Sequence, residues 1–313
     1  MDMDLDGQLI CIFGGGGFLG RYIAQALMAR GARLRIAERN IKNAFHIKPL
    51  GNLGQTQFVS ADITKADSIA RAVHGCDGVV NLVGILNGNF ERVHVEGARN
   101  VADAAAHAGC RTLLHMSAIG ADTASPSRYG RSKGEGEQAV LKAFTDAIIF
   151  RPSIIFGRED QFINRFAAMI QMLPIVPVIG SSTKFQPVFA GDVADAAVEA
   201  LSHPELYAGQ TFELGGPEVI SMGDLYRRIA SMTGRERIFV DIPGFAAKLL
   251  AALPGTPITS DQYKMLQEDN VVATGAKGLD AFGVAPTPLA AVAHGWMEKY
   301  TSHGRFGARA KAG

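Results

Sequence analysis

Tyr129 and Lys133 stand four residues apart, and Ser117 lies twelve residues ahead of the tyrosine. On a helix, positions i and i+4 share one face. An ammonium at Lys133 can therefore stand under the Tyr129 phenol and favour its phenolate, lowering a pKa that is otherwise about 10. Ser117 is then able to polarise a carbonyl while Tyr129 gives or takes its proton. A second chemical feature opens the chain: Gly14-Gly15-Gly16-Gly17-Phe18-Leu19-Gly20. The run satisfies G-x-G-x-x-G at Gly15, Gly17 and Gly20, and G-x-x-G-x-x-G at Gly14, Gly17 and Gly20. Glycine permits a tight turn and a close backbone approach to a pyrophosphate, and the helix N-terminus that follows supplies N–H donors and positive dipole. Together the two features describe a nicotinamide cofactor site with a proton donor beside it.

Such residues need a scaffold, and the first half of the chain spells one out. Leu9–Phe13, 33–37, 57–60, 78–83, Thr112–Met116 and 147–151 read as strands. Helices fit at 18–30, Ala66–Val73, 91–108 and 129–143. Strands this apolar, alternating with helices, argue for an α/β fold with a doubly wound parallel sheet of the Rossmann kind. The glycine turn then lies at the carboxyl end of the first strand, where this architecture binds ligands. After Pro152 the pattern loosens: a helix at 162–173 stopped by Pro174, a strand at 186–190, a helix at 193–201, a strand at Thr211–Leu214, then shorter helices separated by prolines. We assign 1–157 and 184–215 to the nucleotide-binding domain, and 158–183 with 216–313 to a smaller lobe. The tail from Arg305 has no apolar period and is expected to be disordered.

Nucleotide choice turns on a few charges. Glu38 ends the second strand, where an acid accepts hydrogen bonds from an adenosine ribose and favours NAD. Arg21, Arg39 and Lys42 lie close by, and cations there grip a 2′-phosphate. Three cations against one acid favour NADPH, with NAD the alternative; the bland reading is four solvated surface charges. Asp62, with Ile63 beside it, follows the third strand and is a candidate adenine contact, or else the N-cap of a helix over 64–73. Tyr129 and Lys133 count as cofactor contacts as well as catalytic candidates.

Composition excludes several classes. A formal net charge of +1 gives no reason to expect nucleic acid. Cys11, Cys76 and Cys110 form no C-x-x-C pair, which reads as a reducing compartment without disulfides, Cys11 being a core thiol. The eight histidines show no H-x-x-x-H pair, so no metal site is expected. The acidic start, Met1-Asp2-Met3-Asp4, resembles neither a secretory signal nor a transit peptide. No apolar run approaches the roughly 20 residues that span a bilayer. The apolar helix at 245–253 carries Lys248 and is read as core packing, with docking to a membrane-embedded partner as the alternative.

The order of these motifs resembles the extended and atypical short-chain dehydrogenase/reductases: the glycine turn, Asn81-Leu82-Val83-Gly84 after the fourth strand, Ser117, Tyr129/Lys133, and Arg151-Pro152-Ser153. The resemblance implies that Phe18, Leu19, Leu82, Val83 and Gly84 line the cofactor, and that Pro152 and Ser153 lie near the nicotinamide carboxamide. A narrower likeness rests on 17–22, Lys48-Pro49-Leu50-Gly51-Asn52-Leu53-Gly54-Gln55, Ser127-Arg128-Tyr129, Ile155-Phe156-Gly157-Arg158-Glu159-Asp160-Gln161-Phe162, Gln186-Pro187-Val188-Phe189 with Asp192-Val193, and Ile258-Thr259-Ser260-Asp261-Gln262. Over about residues 8 to 270 the chain is similar to the dehydrogenase-like accessory subunits of respiratory complex I, NADH:ubiquinone oxidoreductase. That family holds NADPH tightly as a structural ligand, sits peripherally near the membrane and the quinone-binding region, and is off the electron path. The absence of a presequence and a short, dissimilar C-terminal part depart from its eukaryotic members and point to a bacterial form.

Three functions follow as expectations. The first is an NADPH-binding accessory or assembly subunit with complex I subunits as partners, cytoplasmic or peripheral on the cytoplasmic face of the inner membrane. The second is a free-standing NADP-dependent reductase, epimerase or dehydratase of a small carbonyl or sugar-nucleotide substrate, using Ser117, Tyr129 and Lys133. The third is an NADPH-sensing regulator.

Overall fold

A computed structural model of the chain describes residues 5–252 and 259–301, with backbone only for 250–252. The basic tail from Arg305, Leu253 at the end of the expected apolar helix, and Ile258 lie outside the described residues. In chain order the elements are β1 (Leu9–Phe13), α1 (Phe18–Ala29), β2 (Arg33–Glu38), β3 (Thr56–Ser60), α2 (Ala66–Val73), β4 (Gly78–Asn81), α3 (Ala98–His107), β5 (Thr112–Met116), α4 (Arg128–Ala143) and β6 (Ile148–Pro152). Then come β7 (Ile155–Phe156), α5 (Ile163–Met172), β8 (Ile175–Ile179), β9 (Lys184–Phe185), β10 (Val188–Phe189), α6 (Ala190–Ser202), α7 (Pro204–Tyr207) and β11 (Thr211–Leu214). The chain continues through β12 (Ile220–Ser221), α8 (Met222–Met232), β13 (Ile238–Ile242), α9 (Gly244–Ala252), α10 (Ser260–Met265) and α11 (Leu289–Met297).

Seven strands form one sheet in the order β11-β6-β5-β4-β1-β2-β3, every pair parallel. Strands β1, β4 and β5 are buried at every position, because a parallel sheet covered by helices leaves neither face to water. On one face Leu9, Cys11 and Phe13 pack with Ile69, Val73, Val101 and Ala105 of α2 and α3. The alternate residues Ile10 and Ile12 are equally buried on the other. Strand order reverses between β1 and β4, so the loops after these two strands flank the switch point where such sheets bind ligands.

The described residues group into two compact units, and the boundaries differ from those read in the sequence. The first unit holds the described residues up to Pro152, with Ala190–Leu214 and Ala273–Ala285; the second holds Ser153–Phe189, Gly215–Val272 and the residues from Pro286. Residues 153–157 and 184–189 fall in the second because β7 pairs with β10 there, Ile155 opposite Val188. Residues 273–285 fall in the first because Phe282 packs on Phe150 and Phe212, with ring centroids 5.2 and 4.6 Å apart. The second unit has its own core, in which Phe156, Ile163, Ile170, Leu225, Ile229 and Trp296 are buried. Its parallel pair β8 and β13 contains Pro177, tolerated because a two-stranded sheet consists only of edges.

Two elements depart from the sequence reading inside the first unit. A 3₁₀ run occupies Ile41–Leu50, where the sequence reading gave no element; Ile41, Ala44, Ile47 and Leu50 recur in it every third position. The helix expected over 91–108 begins instead as a π-helix, Glu91–Gly97, before α3. The three cysteines are all free and buried in one core cluster rather than scattered, with Cys110 Sγ 3.3 Å from the Cys76 carbonyl.

Candidate functional site

The glycine turn leaves β1 at Gly14, whose φ of +78° favours glycine. Gly17 N–H donates to the Gly14 carbonyl and closes the turn. At Gly20 a Cβ would stand 2.4 Å from the Gly15 carbonyl oxygen, so the first turn of α1 packs against the loop only with glycine there. Helix α1 begins without a side-chain cap and without an acid in its first turn. Its leading N–H groups and the positive end of its dipole are thereby kept for an anion. That is the condition a dinucleotide pyrophosphate requires, and the residues present fit it.

The adjacent wall comes from the end of β4. Leu82 N–H donates to the Phe13 carbonyl, and a Cβ on Gly14 would lie 3.4 Å from Leu82 and Val83, so the two loops abut. Asn81 is buried; its Oδ1 accepts from Val83 N–H at 3.2 Å, and its Nδ2 lies 3.2 Å from His115 Nδ1. Leu82 and Val83 are half-buried and Gly84 is exposed, leaving this rim open above the sheet.

At the end of β5, Ser117 is buried and its Oγ has no hydrogen-bond partner among the described residues. A buried hydroxyl without a partner is costly, and a bound carbonyl or amide would satisfy it. Lys133 is buried on α4 and its Nζ donates to the Met116 carbonyl at 2.6 Å, beside the Met116–Ser117 peptide. Its pKa is pushed down to about 8 by burial, against the pull of Glu137. Burial likewise pushes the Tyr129 phenol up to about 12. The expected lowering of the phenol by Lys133 is not seen: desolvation raises Tyr129, and one of the three N–H donors of Lys133 goes to the Met116 carbonyl. At neutral pH the pair is a phenol and an ammonium, both suited to donating hydrogen bonds to a ribose or carbonyl oxygen.

The nucleotide-selecting end is built by β2, β3 and the 3₁₀ run. Glu38 Oε1 accepts from Gly16 N–H at 2.9 Å, which ties the acid to the glycine turn itself. Arg39 and Lys42 are exposed nearby in the chain, and Arg21 is half-buried on α1. Asp62 turns back on its own loop, accepting from Thr64 N–H at 3.0 Å and from Thr64 Oγ1 at 2.9 Å. Burial raises its pKa, but the Thr64 hydrogen bonds with Arg39 and Lys65 outweigh it and leave the carboxyl below its ordinary value. The helix starts at Ala66 with Lys65 at its N-cap, so Asp62 closes a turn before the helix and does not cap a helix over 64–73. Ile63 is buried in the core; a Cβ on Gly97 would come within 2.6 Å of it.

At the far end, the Pro152 carbonyl accepts from Ile119 N–H at 3.0 Å, binding the segment after Ser117 to the end of β6. Ser153 belongs to the second unit, where its Oγ lies 2.6 Å from Asn270 Oδ1. The glycine turn, Leu82 to Gly84, Ser117, Tyr129, Lys133 and Pro152 all lie within the first unit. Sequence reasoning missed His94, Ser132 and Phe90, which surround Tyr129 from the π-helix and α4; the only signal was an aromatic and a histidine four apart, Phe90 and His94. No group of three or more metal-ligating side chains occurs among the described residues.

A doubly wound parallel sheet with a glycine turn at its switch point defines the dinucleotide-binding class of α/β folds. The chain belongs to the NAD dependent epimerase/dehydratase family, whose pattern matches residues 10–215. It is 36% identical over 296 residues to NADH dehydrogenase (ubiquinone) 1 alpha subcomplex subunit 9, mitochondrial, of Mus musculus, covering 91% of this chain and 78% of that protein. It is 30% identical over 311 residues to the NADH-ubiquinone oxidoreductase 40 kDa subunit, mitochondrial, of Neurospora crassa, covering 96% of this chain and 82% of that one. Its fold is shared with the NADPH-dependent quinone oxidoreductase QOR2 of Escherichia coli, solved with NADPH, at a TM-score of 0.74 and 20% identity over 90% of this chain and 97% of that one. The family and the glycine turn make the cofactor a nicotinamide nucleotide. When bound, that group supplies hydride chemistry.

Proposed function

We propose that this chain is an NADPH-binding accessory or assembly subunit of NADH:ubiquinone oxidoreductase, in which the nucleotide is a structural ligand. The observation that carries the reading is the likeness, across 91% of this chain, to a protein named as a subunit of that complex. The site chemistry is compatible with holding a nucleotide: a phenol raised to about 12 and an ammonium that gives one of its three N–H groups to the Met116 carbonyl are hydrogen-bond donors. Tyr129 and Lys133 then clamp the nucleotide, Ser117 Oγ takes a carbonyl or amide oxygen, and the start of α1 takes the pyrophosphate. The choice of NADPH over NAD rests on Arg21, Arg39 and Lys42, against a Glu38 carboxylate that already accepts from Gly16 N–H. A tightly held nucleotide stabilises the folded state by mass action, about 4 kcal/mol at a thousandfold excess over Kd.

No helix among the described residues is long and apolar enough to cross a membrane. The likeness to complex I subunits supports a place beside that complex, peripheral to its membrane. In the second unit, Phe245 and Leu249 on α9 are exposed, and they offer an apolar contact for that association. Two measurements test the proposal. Denaturing extraction of purified protein is expected to release stoichiometric NADPH, and a tagged copy is expected to retain complex I subunits from membranes in mild detergent. NAD or no nucleotide in the extract would sink the structural-NADPH account. A protein found only in the soluble fraction, oxidising NADPH with a carbonyl substrate in a Tyr129-dependent way, would put the free-standing reductase in its place.

A further inference from the structure

His94 is buried at the middle of the π-helix, and both of its ring nitrogens are engaged by residues of the candidate site. Nε2 lies 2.9 Å from Ile85 N, in the loop that follows β4 through Leu82, Val83 and Gly84. A backbone N–H can only donate, so Nε2 is the unprotonated nitrogen. The ring proton therefore sits on Nδ1 and is donated to Ser132 Oγ at 2.9 Å. The Ser132 hydroxyl passes its own hydrogen to the Tyr129 carbonyl at 2.8 Å. The result is a one-way chain of donors from the loop after β4, through one imidazole, to the turn of α4 that carries Tyr129 and Lys133.

Packing holds that chain in one geometry. The imidazole stacks on Phe90, centroids 5.4 Å apart at 14°, and meets the Tyr129 ring edge-on, 5.5 Å away at 89°. A Cβ on Gly136 would stand 2.2 Å from the His94 carbonyl oxygen, so α4 reaches the π-helix only where it has no side chain. A Cβ on Gly84 would lie 3.8 Å from Nε2, in ordinary contact. The wider turn of a π-helix displaces one residue from the regular helical register, and such turns recur at functional sites. Burial, and then the Lys133 charge, push the His94 pKa down to about 3, so the ring stays neutral and its tautomer stays set.

We propose that His94 is a positioning residue for the nucleotide: it fixes the spacing between the loop 82–85 and the Tyr129/Lys133 turn of α4, the two walls between which the nicotinamide end is held. The role rests on the nucleotide-holding function proposed above. A histidine that merely fills core volume would be replaced without loss by an aromatic ring; a bridge needs an acceptor on one side and a donor on the other. His94→Phe keeps the ring and removes both hydrogen bonds, whereas His94→Gln keeps an acceptor and a donor.

The test is titration of nucleotide-free protein with NADPH, followed by nucleotide fluorescence, at a temperature where circular dichroism shows each variant folded. His94→Phe is expected to raise the Kd about tenfold and to speed NADPH release, as the loss of two net hydrogen bonds implies. His94→Gln is expected to stay within about threefold of wild type. A His94→Phe protein with a lowered melting temperature but wild-type Kd and release rate would overturn the role, since a purely structural residue moves only the former. Should His94→Phe fail to fold, Ser132→Ala cuts the same chain at its other end, and an unchanged Kd there overturns the role equally. Wild-type protein that takes up no nicotinamide nucleotide would sink the proposed function together with this role, whereas binding by wild type with indifferent variants would sink the role alone.

Discussion

Replacing Lys133 with methionine separates stability from binding in a way the geometry makes quantitative. The lysine is almost wholly buried, its Nζ is hydrogen-bonded to the Met116 carbonyl, and its pKa is about 8 in place of 10.5. For a base, a depressed folded pKa means that the unfolded chain binds more protons between the two values, so stability rises with pH across that window. Below both values the burial of the ammonium costs about 3 kcal/mol, the free-energy equivalent of the difference. Methionine removes that cost but leaves a carbonyl without its donor, which takes back about 1–3 kcal/mol. Nucleotide-free Lys133→Met is therefore expected to be roughly 1 kcal/mol more stable than wild type near pH 7. Its advantage should shrink by roughly 1.3 kcal/mol on going to about pH 9, because only the wild type recovers as the ammonium titrates. Urea denaturation followed by far-UV circular dichroism, run in parallel at several pH values, measures the gap. Taking the difference between the two proteins cancels the buried thiols, which also titrate as pH rises. A gap that stays level or widens with pH would refute the reasoning. The same variant is expected to lose its nucleotide, leaving a better folded and emptier protein.

Gly20→Ala places a methyl 2.4 Å from a backbone oxygen that cannot yield, and is expected to cost about 1–3 kcal/mol and to abolish NADPH uptake; melting and extraction check both parts. His94, at about 3 when folded against an ordinary 6.5, makes the wild type acid-labile: the unfolded chain takes up the proton first, so stability is lost as pH falls below about 6.5. Relative to His94→Gln, the wild type should lose up to about 1.4 kcal/mol per pH unit between about pH 6 and pH 4, read from parallel urea curves. Glu137→Gln unpairs a guanidinium that grips the carboxylate through Nε at 2.9 Å and Nη2 at 2.6 Å. Glu213, 3.6 Å from Arg151, compensates only partly, and a loss of about 3 kcal/mol in chemical denaturation is expected.

Much of the first unit was legible because parallel strands buried on both faces leave unbroken apolar runs. Leu9–Phe13 and Thr112–Met116 coincide with their strands, and Ala66–Val73 with its helix. The 3₁₀ run had a legible period of three through Ile41, Ala44, Ile47 and Leu50, yet a reading tuned to 3.6 and 2 passes over it. Strand β8 was hidden by Pro174 and Pro177, which argue against a strand unless it has a free edge. The unit boundaries were hidden for another reason: Phe282 joins Phe150 and Phe212 from far along the chain, and no local pattern announces such a contact.

The residue types of the site and the glycine turn were determined by the sequence, since spacing alone puts Gly14, Gly17 and Gly20 in one turn and Tyr129 and Lys133 on one helix face. What those residues do electrostatically was decided only by the tertiary structure. One N–H of the Lys133 ammonium goes to the Met116 carbonyl at the end of β5, a partner that spacing along α4 does not announce. Burial then raised the phenol that local proximity alone would have lowered. His94 became part of the site in the same way, because the π-helix and the bare backbone of Gly136 bring an imidazole between Ile85 and Ser132. A pKa and a hydrogen-bond partner depend on everything that excludes water from a group, and that is a property of the packed chain.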